Sequence, residues 1–291
     1  MLPRSLFVLL LLTVLFVPAH SGTLVQFRTV FGTLDVELYD AEKPVTTGNF
    51  KRLVQAGAYQ NNFFHRLIPG FVAQGGGYYA FNKFSPNLFA PNWLELGVTP
   101  SFGFITNEYS VGPTLSNTNG TIAMAKLPGN PNSASAGWFF NLANNSANLD
   151  SQNGGFTVFG RVIRDTNNLL GFLNGRSYGN GMVDMSAFYP GDVVASNFST
   201  LPVTYGGAAQ PAYWNLLFVD ISLLEIEISR TNGFPLISWS AVADKTNSLE
   251  YTTTMPPQWQ PLASVVPSPG RVSFIDNSGA PNRFYRVRVD Y

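Results

Sequence analysis

Residues 63–76, which read FFHRLIPGFVAQGG, decide how the rest of the chain is interpreted. The stretch sets Arg66, a side chain that is always charged, among apolar neighbours and places the amide of Gln74 eight positions later. Two interpretations follow from these residues alone. The stretch is either a buried strand that enters a turn at Pro69-Gly70 with Arg66 on the surface, or a site at which the cation acts.

The second half of this stretch alternates in a way that is typical of a strand. In an extended chain, neighbouring side chains point to opposite faces, so Val72 and Gln74 share one face while Phe71 and Ala73 share the other. Twist of the strand could still direct both sets towards one edge. The pattern therefore predicts a strand with Val72 and Gln74 on one face.

Composition limits the class of protein. The 291 residues contain 17 Lys and Arg and 17 Asp and Glu, so the net charge is zero and no basic surface for nucleic acid is indicated. Charged residues make up only 12% and aromatic residues 14%, with 27 Gly and 20 Pro. These values predict a turn-rich, mainly β globular protein that is long enough for one large domain and one small one.

The first residues resemble a leader for export. Arg4 precedes an apolar run over residues 6–17, and small residues follow at Ala19, Ser21 and Gly22, so residues 1–21 are predicted to be a secretory signal peptide. The run is shorter than the roughly 20 residues that span a bilayer, although a retained membrane anchor is the alternative. With no Cys in the chain, no disulfide or lipid-modified Cys is possible. We expect a periplasmic or extracellular bacterial protein, with no membrane span in the mature chain.

Local patterns predict the elements around the central stretch. Residues 24–28 and 33–39 read as two strands, and the second of them has an apolar face. A helix is predicted to start at Pro44, which suits a first turn, and to end near Gly57. A second helix is predicted from Asp165, a capping residue, to Gly175.

Several segments resemble one known family. The motif FHR, a hydrophobic residue, IPGF, any two residues and QGG is similar to the signature of the cyclophilin-type peptidyl-prolyl isomerases, and it is nearly unbroken from Phe64 to Gly76. Further similar segments follow in the family's order: residues 119–125, 135–141, 148–150 and 156–162. The resemblance covers residues 23–228, with long insertions at 78–113 and 176–212. The second insertion is rich in Gly, Pro and Ser and is predicted to be a loop.

This resemblance implies a fold and a set of roles. The fold is mainly β, a closed antiparallel eight-stranded β-barrel with two capping helices. Arg66 is implied to be the catalytic cation, and Gln74 to hold it or the substrate carbonyl. The backbone of Ala125 would pair with an extended peptide. The walls of the proline socket would be formed by Phe71, Val72, Phe140 and Leu149.

Three positions depart from the family's pattern and bear on substrate binding. Trp138 stands where most members have Gln beside paired Phe residues, so we expect it at the substrate-binding site, where either the neighbouring loops have moved apart or the subsites beside the proline are narrower. Phe156 replaces a His or Tyr and makes the socket more apolar. Asn148 precedes the Leu-Asp pair in place of a Trp.

A second, smaller domain is predicted at residues 233–291, after a polar boundary at 229–233. Five short β signals recur there at a spacing typical of all-β modules. The segment weakly resembles fibronectin- or immunoglobulin-like modules, which predicts a small β-sandwich-like domain. The five signals lie at residues 236–239, 249–253, 259–266, 272–275 and 284–289.

Other chemistries find little support. The chain has only two histidines, His20 in the predicted leader and His65, so no His pair for zinc is available and no metal or cofactor is expected. His65 has no G-x-S-x-G context around a candidate serine and is predicted to be a packed core residue. Gly75-Gly76-Gly77 is not followed by a helix signal, which argues against a phosphate-binding loop.

The sequence therefore predicts a peptidyl-prolyl cis-trans isomerase that acts on X-Pro bonds of exported proteins and assists their folding. Its partners would be proline-containing polypeptides, with no nucleic acid, and the protein would be a monomer. The alternative is a catalytically weak module that binds proline peptides, with Trp138 narrowing the socket and the C-terminal domain anchoring it to a partner.

Overall fold

A computed structural model describes residues 22–80, 96–241, 246–267, 270–280 and 282–290. The predicted leader at 1–21 lies outside the described residues, as does the middle of the insertion at 78–113. Within the described ranges, no helix combines the length and the apolar character that crossing a bilayer requires.

The chain forms mainly strands, joined by short helices. In chain order the strands are β1 (Leu24–Arg28), β2 (Thr33–Leu38), β3 (Arg66–Ile68), β4 (Val72–Gly75), β5 (Tyr78–Ala80), β6 (Leu96–Val98), β7 (Thr121–Met124), β8 (Trp138–Asn141), β9 (Val158–Asp165), β10 (Ser177–Tyr178), β11 (Asn180–Val183), β12 (Leu201–Gly206), β13 (Asp220–Leu224), β14 (Ile226–Thr231), β15 (Phe234–Ala241), β16 (Thr246–Thr252), β17 (Gln260–Val265), β18 (Gly270–Ile275) and β19 (Phe284–Asp290). The helices are α1 (Pro44–Gln55), α2 (Ser146–Leu149), α3 (Leu169–Asn174) and α4 (Val193–Ser196).

An eight-stranded antiparallel sheet carries the central stretch, in the order β13-β1-β2-β9-β7-β8-β4-β3. One face of it encloses the main apolar core, to which the sheet contributes Phe27, Val36 and Phe140 and helix α1 contributes Phe50. The predictions of a mainly β protein, of the hairpin β1-β2 and of the helix at 44–55 are confirmed. The helix ends as expected, with Gly57 in the left-handed region at φ 70°.

The predicted closed barrel is confirmed only as a curled eight-stranded sheet. Strands β13 and β3 are its two edges, and within the described residues no strand ladder joins them. Residues beside these edges do approach each other: Phe64 N donates to Leu217 O at 2.9 Å, and Val219 N donates to Asn62 O at 3.0 Å. The two edges therefore meet over a short bridge rather than over a full ladder.

The capping prediction for the second helix is confirmed. The carboxylate of Asp165 accepts hydrogen bonds from Leu169 N at 2.5 Å and from Leu170 N at 3.1 Å, the first amides of α3. These amides have no partner inside the helix, so an acidic side chain there satisfies them and favours the helix start. Helices α1 and α3 both bury apolar residues against the main core.

The insertion at 176–212 is not a loop, and that prediction is wrong. It forms a three-stranded sheet of β10, β11 and β12 together with helix α4. A core of its own includes Met185, Phe198 and Leu201, which pack with Phe63 from the start of the central stretch. The apolar residues that hold this unit are spread among Gly and Ser, and their partner Phe63 is more than 100 positions away, so local composition does not reveal the packing.

The C-terminal residues form two three-stranded sheets, β14-β15-β18 and β17-β16-β19. Ile237, Trp239 and Leu249 are buried where the sheets meet, as expected for a small sandwich. The chain over residues 218–228, where the predicted first domain ends, is divided at Glu225: β13 belongs to the large sheet, whereas β14 pairs with β15. The predicted domain limits at 228 and 233 otherwise stay a prediction.

Candidate active site

Arg66 and Gln74 meet across the hairpin formed by β3 and β4. The two residues are directly opposite each other in the strand register, and Arg66 Nη1 donates a hydrogen bond to Gln74 Oε1 at 3.3 Å. Arg66 is half-buried, and this burial lowers the pKa of its guanidinium from the usual value of 12.5, which still leaves the group charged at neutral pH. The pair is therefore a fixed cation held by a neutral amide.

An apolar cluster lies next to this pair, on the face of the sheet opposite the main core. Val72, two residues before Gln74, belongs to the cluster, whereas Ala73 between them belongs to the core. Leu149 is 5% exposed and comes from helix α2. Of the residues that the sequence placed in the proline socket, the cluster brings together Phe71, Val72, Ala125, Leu149 and Phe156.

Phe71 reaches the cluster because it precedes strand β4 rather than lying within it. Its carbonyl accepts hydrogen bonds from Leu142 N and from Asn145 Nδ2, both at 2.8 Å. These bonds hold the turn at Pro69-Gly70 against the segment that follows strand β8. The strict alternation that the sequence suggested for Phe71 therefore begins one residue later.

Trp138 and Phe140 do not line the socket, and the predictions for both are wrong. Both side chains are fully buried in the main core, where the Trp138 ring packs edge-on against Phe27 at 5.1 Å and Phe64 at 5.3 Å between ring centres. The Phe140 ring meets Phe27 at 5.0 Å. Because Trp138 faces the main core, on the side of the sheet away from the socket, it cannot narrow the socket.

Phe139 is the aromatic residue of β8 that faces the socket, and the sequence interpretation missed it. It lies opposite Gln74 in the register, belongs to the cluster of Val72, and packs edge-on against Phe156 at 5.8 Å. A shift by one residue moves every side chain of a strand to the other face. Aligning Gly137, rather than Trp138, with the family's Gln would have placed Phe139 correctly.

Glycines make room for the indole of Trp138. A Cβ atom on Gly75 would lie 2.4 Å from Trp138 Cη2, and one on Gly76 would lie 2.6 Å from Trp138 Cδ1. Gly76 also has φ at 72°, a conformation that residues with a side chain rarely adopt. The two glycines of the QGG motif therefore have a packing role in this chain.

A cavity of about 240 Å³ lies beside the apolar cluster that forms the predicted proline socket. Gln74 and Ala125 line it and also adjoin the apolar cluster, so the two depressions share one wall. Three exposed apolar side chains stand around the opening of the cavity: Val98, Phe104 and Leu127.

His65 is a core residue, as the sequence indicated. It is 4% exposed, and burial, with a smaller contribution from the adjacent charge of Arg66, lowers its pKa to about 3. The imidazole is therefore neutral at physiological pH. Its ring packs edge-on against Tyr78 at 5.0 Å, and its Nδ1 has no hydrogen-bond partner among the described residues. No group of three or more potential metal ligands occurs in the described part of the chain.

Part of this chain is similar to known proteins. The family model described as cyclophilin type peptidyl-prolyl cis-trans isomerase/CLD matches residues 24–181. This chain is 37% identical over 153 residues to a peptidyl-prolyl cis-trans isomerase of Acinetobacter baylyi, a match that covers 52% of this chain and 72% of the relative. It is 32% identical over 161 residues to peptidyl-prolyl cis-trans isomerase B of Escherichia coli, covering 53% of this chain and 88% of that protein.

A solved structure is also similar. The crystal structure of a Cryptosporidium parvum cyclophilin type peptidyl-prolyl cis-trans isomerase, determined in the presence of the dipeptide Ala-Pro, matches with 20% sequence identity and a TM-score of 0.44. The match covers 69% of this chain and 99% of that one.

Proposed function

This chain belongs to the family of cyclophilin-type peptidyl-prolyl cis-trans isomerases, and from that premise we propose that it isomerises X-Pro bonds of exported polypeptides, with Arg66 as the catalytic cation, and so assists their folding. The observation that carries the proposal is the Arg66–Gln74 pair beside an apolar cluster on the same face of the sheet.

The reaction requires no covalent intermediate. Rotation about an X-Pro bond crosses a barrier of about 18–20 kcal/mol because the amide loses its conjugation in the twisted state. A catalyst lowers this barrier when it binds the twisted amide better than either planar form. An apolar socket for the pyrrolidine ring and a fixed donor beside the amide meet that requirement.

Arg66 is suited to be that donor. A guanidinium has five N–H donors in a rigid plane, and the described residues provide a partner for only one of them, through Gln74. The remaining donors are free to reach the proline nitrogen or the peptide carbonyl, on which electron density is localised as the bond twists. Because Arg66 is half-buried, its charge acts in a medium less polar than water.

Replacement of Arg66 tests the assignment. Loss of an electrostatic donor of the transition state lowers kcat by about 10²–10³, so Arg66→Ala should lose that much kcat/KM while it melts at nearly the native temperature. Arg161→Ala is the matched control, because Arg161 forms a surface ion pair with Glu37 at 2.9 Å on strand β9. Exchange spectroscopy on a short X-Pro peptide measures both variants. Retention of half the native rate by Arg66→Ala would remove Arg66 from the mechanism.

The catalytically weak binding module remains the second candidate. Its main support in the sequence was a Trp138 that narrows the socket, and Trp138 lies in the core. The same exchange experiment separates the candidates, since a binding module would shift peptide resonances without accelerating exchange.

Export is the part of the proposal that concerns location. The charged start, the apolar run and the small residues of positions 1–22 support it. We expect the protein to be recovered outside the cytoplasm as a monomer whose first residue lies near Gly22. N-terminal sequencing of the fractionated protein and light scattering measure these properties. An intact Met1 in the cytoplasmic fraction would contradict export.

A further inference from the structure

Lys126 lies between the proline socket and the neighbouring cavity. It lines the cavity, and its Nζ lies 4.6 Å from the ring centre of Phe156, which belongs to the socket cluster. A peptide that extended from the socket into the cavity would run alongside this side chain. Lys126 thus faces the residues next to a bound proline.

The ammonium of Lys126 is held in place by a turn. Nζ donates to the carbonyls of Asn153 at 2.7 Å and Gly155 at 2.6 Å. The turn positions these carbonyls through left-handed residues, with φ at 50° for Asn153 and 74° for both Gly154 and Gly155. An ammonium has three donors, and the third has no partner among the described residues. A fixed cation with one free donor therefore borders the cavity.

No carboxylate neutralises this charge in the described part of the chain. The acidic groups on the surrounding segments, Glu108 and Asp150, are bonded to backbone amides elsewhere, and Tyr109 packs beside the same turn. The nearest functional charge on the facing hairpin is the cation Arg66. Burial lowers the pKa of Lys126 to about 8, so the side chain is mostly charged at neutral pH and loses its charge within an accessible range.

The backbone beside this side chain is also available. Within the described residues, neither the amide nor the carbonyl of Lys126 has a hydrogen-bond partner, whereas Ala125 N is bonded to Gly137 O at 2.9 Å. An extended peptide can pair with such a free segment. Proline has no N–H, so the peptide residue that pairs with Lys126 is a neighbour of the proline.

We propose that Lys126 determines the specificity of the isomerase by favouring peptides that carry a carboxylate side chain beside the proline. The inference rests on the proposed function, because it assumes that the proline occupies the socket next to Arg66. It adds the chemical class of the flanking residue, which neither the family nor the socket specifies.

Four peptides test this specificity: a Glu-Pro and Gln-Pro pair, and a Pro-Glu and Pro-Gln pair. At pH 7 and low salt, an ion pair at a partly exposed site is worth about a two- to fivefold preference for Glu over Gln in kcat/KM. We expect this preference in at least one pair for the native protein, its loss in Lys126→Met, and its retention in Lys126→Arg. Because each ratio is taken within one variant, a general loss of activity cancels.

Two further measurements separate charge from packing. Raising the pH from 7 to 9.5 should remove the preference in the native protein, since the ammonium loses its proton near pH 8, but not in Lys126→Arg. Lys51→Met is the matched control, because Lys51 pairs with Asp40 at 2.8 Å on another part of the surface, and it should keep the native ratio.

The possible failures are distinguishable. If the native protein turns over all four peptides but kcat/KM is equal for Glu and Gln in both pairs, the inference is overturned and the proposed function stands. The same holds if the preference for Glu persists in Lys126→Met. Absence of turnover on every peptide would overturn the proposed function and this inference with it.

Discussion

Two adjacent residues of β8, Phe139 and Phe140, should respond to replacement in opposite ways. Phe139 faces the socket cluster and packs against Phe156, whereas Phe140 is fully buried among core aromatic residues. Alanine at position 139 should therefore reduce catalysis more than stability. Alanine at position 140 should do the reverse.

The magnitudes follow from the contacts of each ring. The Phe140 ring lies 5.0 Å from Phe27 and 5.6 Å from Trp138 in a closed core, so Phe140→Ala should lower the free energy of unfolding by about 3–5 kcal/mol. Phe139→Ala should cost less, about 2–3 kcal/mol, because Phe139 packs in a much smaller cluster than Phe140 does. Loss of a large aromatic contact with the proline corresponds to about 2 kcal/mol, or a factor of about 30 in kcat/KM.

The assay must separate activity from the folded fraction. Urea denaturation gives the stability of each variant, and exchange spectroscopy at 10 °C gives kcat/KM per folded molecule. We expect Phe139→Ala to lose about 30-fold and Phe140→Ala to stay within about threefold of the native value. Phe139→Leu and Phe140→Leu provide a milder pair if either alanine variant unfolds. An equal loss of kcat/KM per folded molecule at both positions would refute the assignment of faces.

Two other predictions concern the residues around the hairpin of β3 and β4. In the unfolded chain His65 binds a proton below about pH 6.5, whereas in the folded protein it stays neutral down to about pH 3. The free energy of unfolding is therefore unaffected by His65 above pH 6.5 and falls by about 1.4 kcal/mol for each pH unit below it. Urea midpoints from pH 7 to 4 should fall less steeply in His65→Phe, and parallel slopes would exclude His65 as the cause. Gly75→Ala should destabilise by about 1–3 kcal/mol because its Cβ would meet the Trp138 ring. Trp138→Phe should recover part of that loss in a double-mutant cycle, and purely additive losses would contradict the clash.

Elements fixed by local chemistry could be predicted from the sequence. The hairpin β1-β2, the start of α1 at Pro44 and the Asp165 cap depend on residues within a few positions of one another. The Arg66–Gln74 pair belongs to the same class, since a tight turn at Pro69-Gly70 brings the two residues into register. Each of these elements was recognisable because one short segment contains all its determinants.

The faces of β8 could not be predicted in that way. Two consecutive Phe residues fit the family's pattern in either of two registers, and local alternation does not choose between them. The choice is made by pairing with β4, where Gln74 lies opposite Phe139 and Ala73 lies opposite Phe140, 65 or more positions apart in the chain. The division at Glu225 has a similar cause, because the apolar run over 218–228 contains no turn signal and only pairing with β1 and β15 divides it.

The insertion at 176–212 covers the free side of strand β3. Strand β3, which begins at Arg66, is an edge of the large sheet, and an edge strand exposes unpaired backbone groups. Here Leu67 N donates to Thr200 O at 2.9 Å, and Phe198 of the insertion packs against Tyr78 at 4.9 Å. The strand is thus bonded to β4 on one side and to the insertion on the other. The insertion thus fixes the backbone of Leu67, the neighbour of the proposed catalytic cation Arg66, and a cation whose surroundings are fixed in advance is what the proposed mechanism requires.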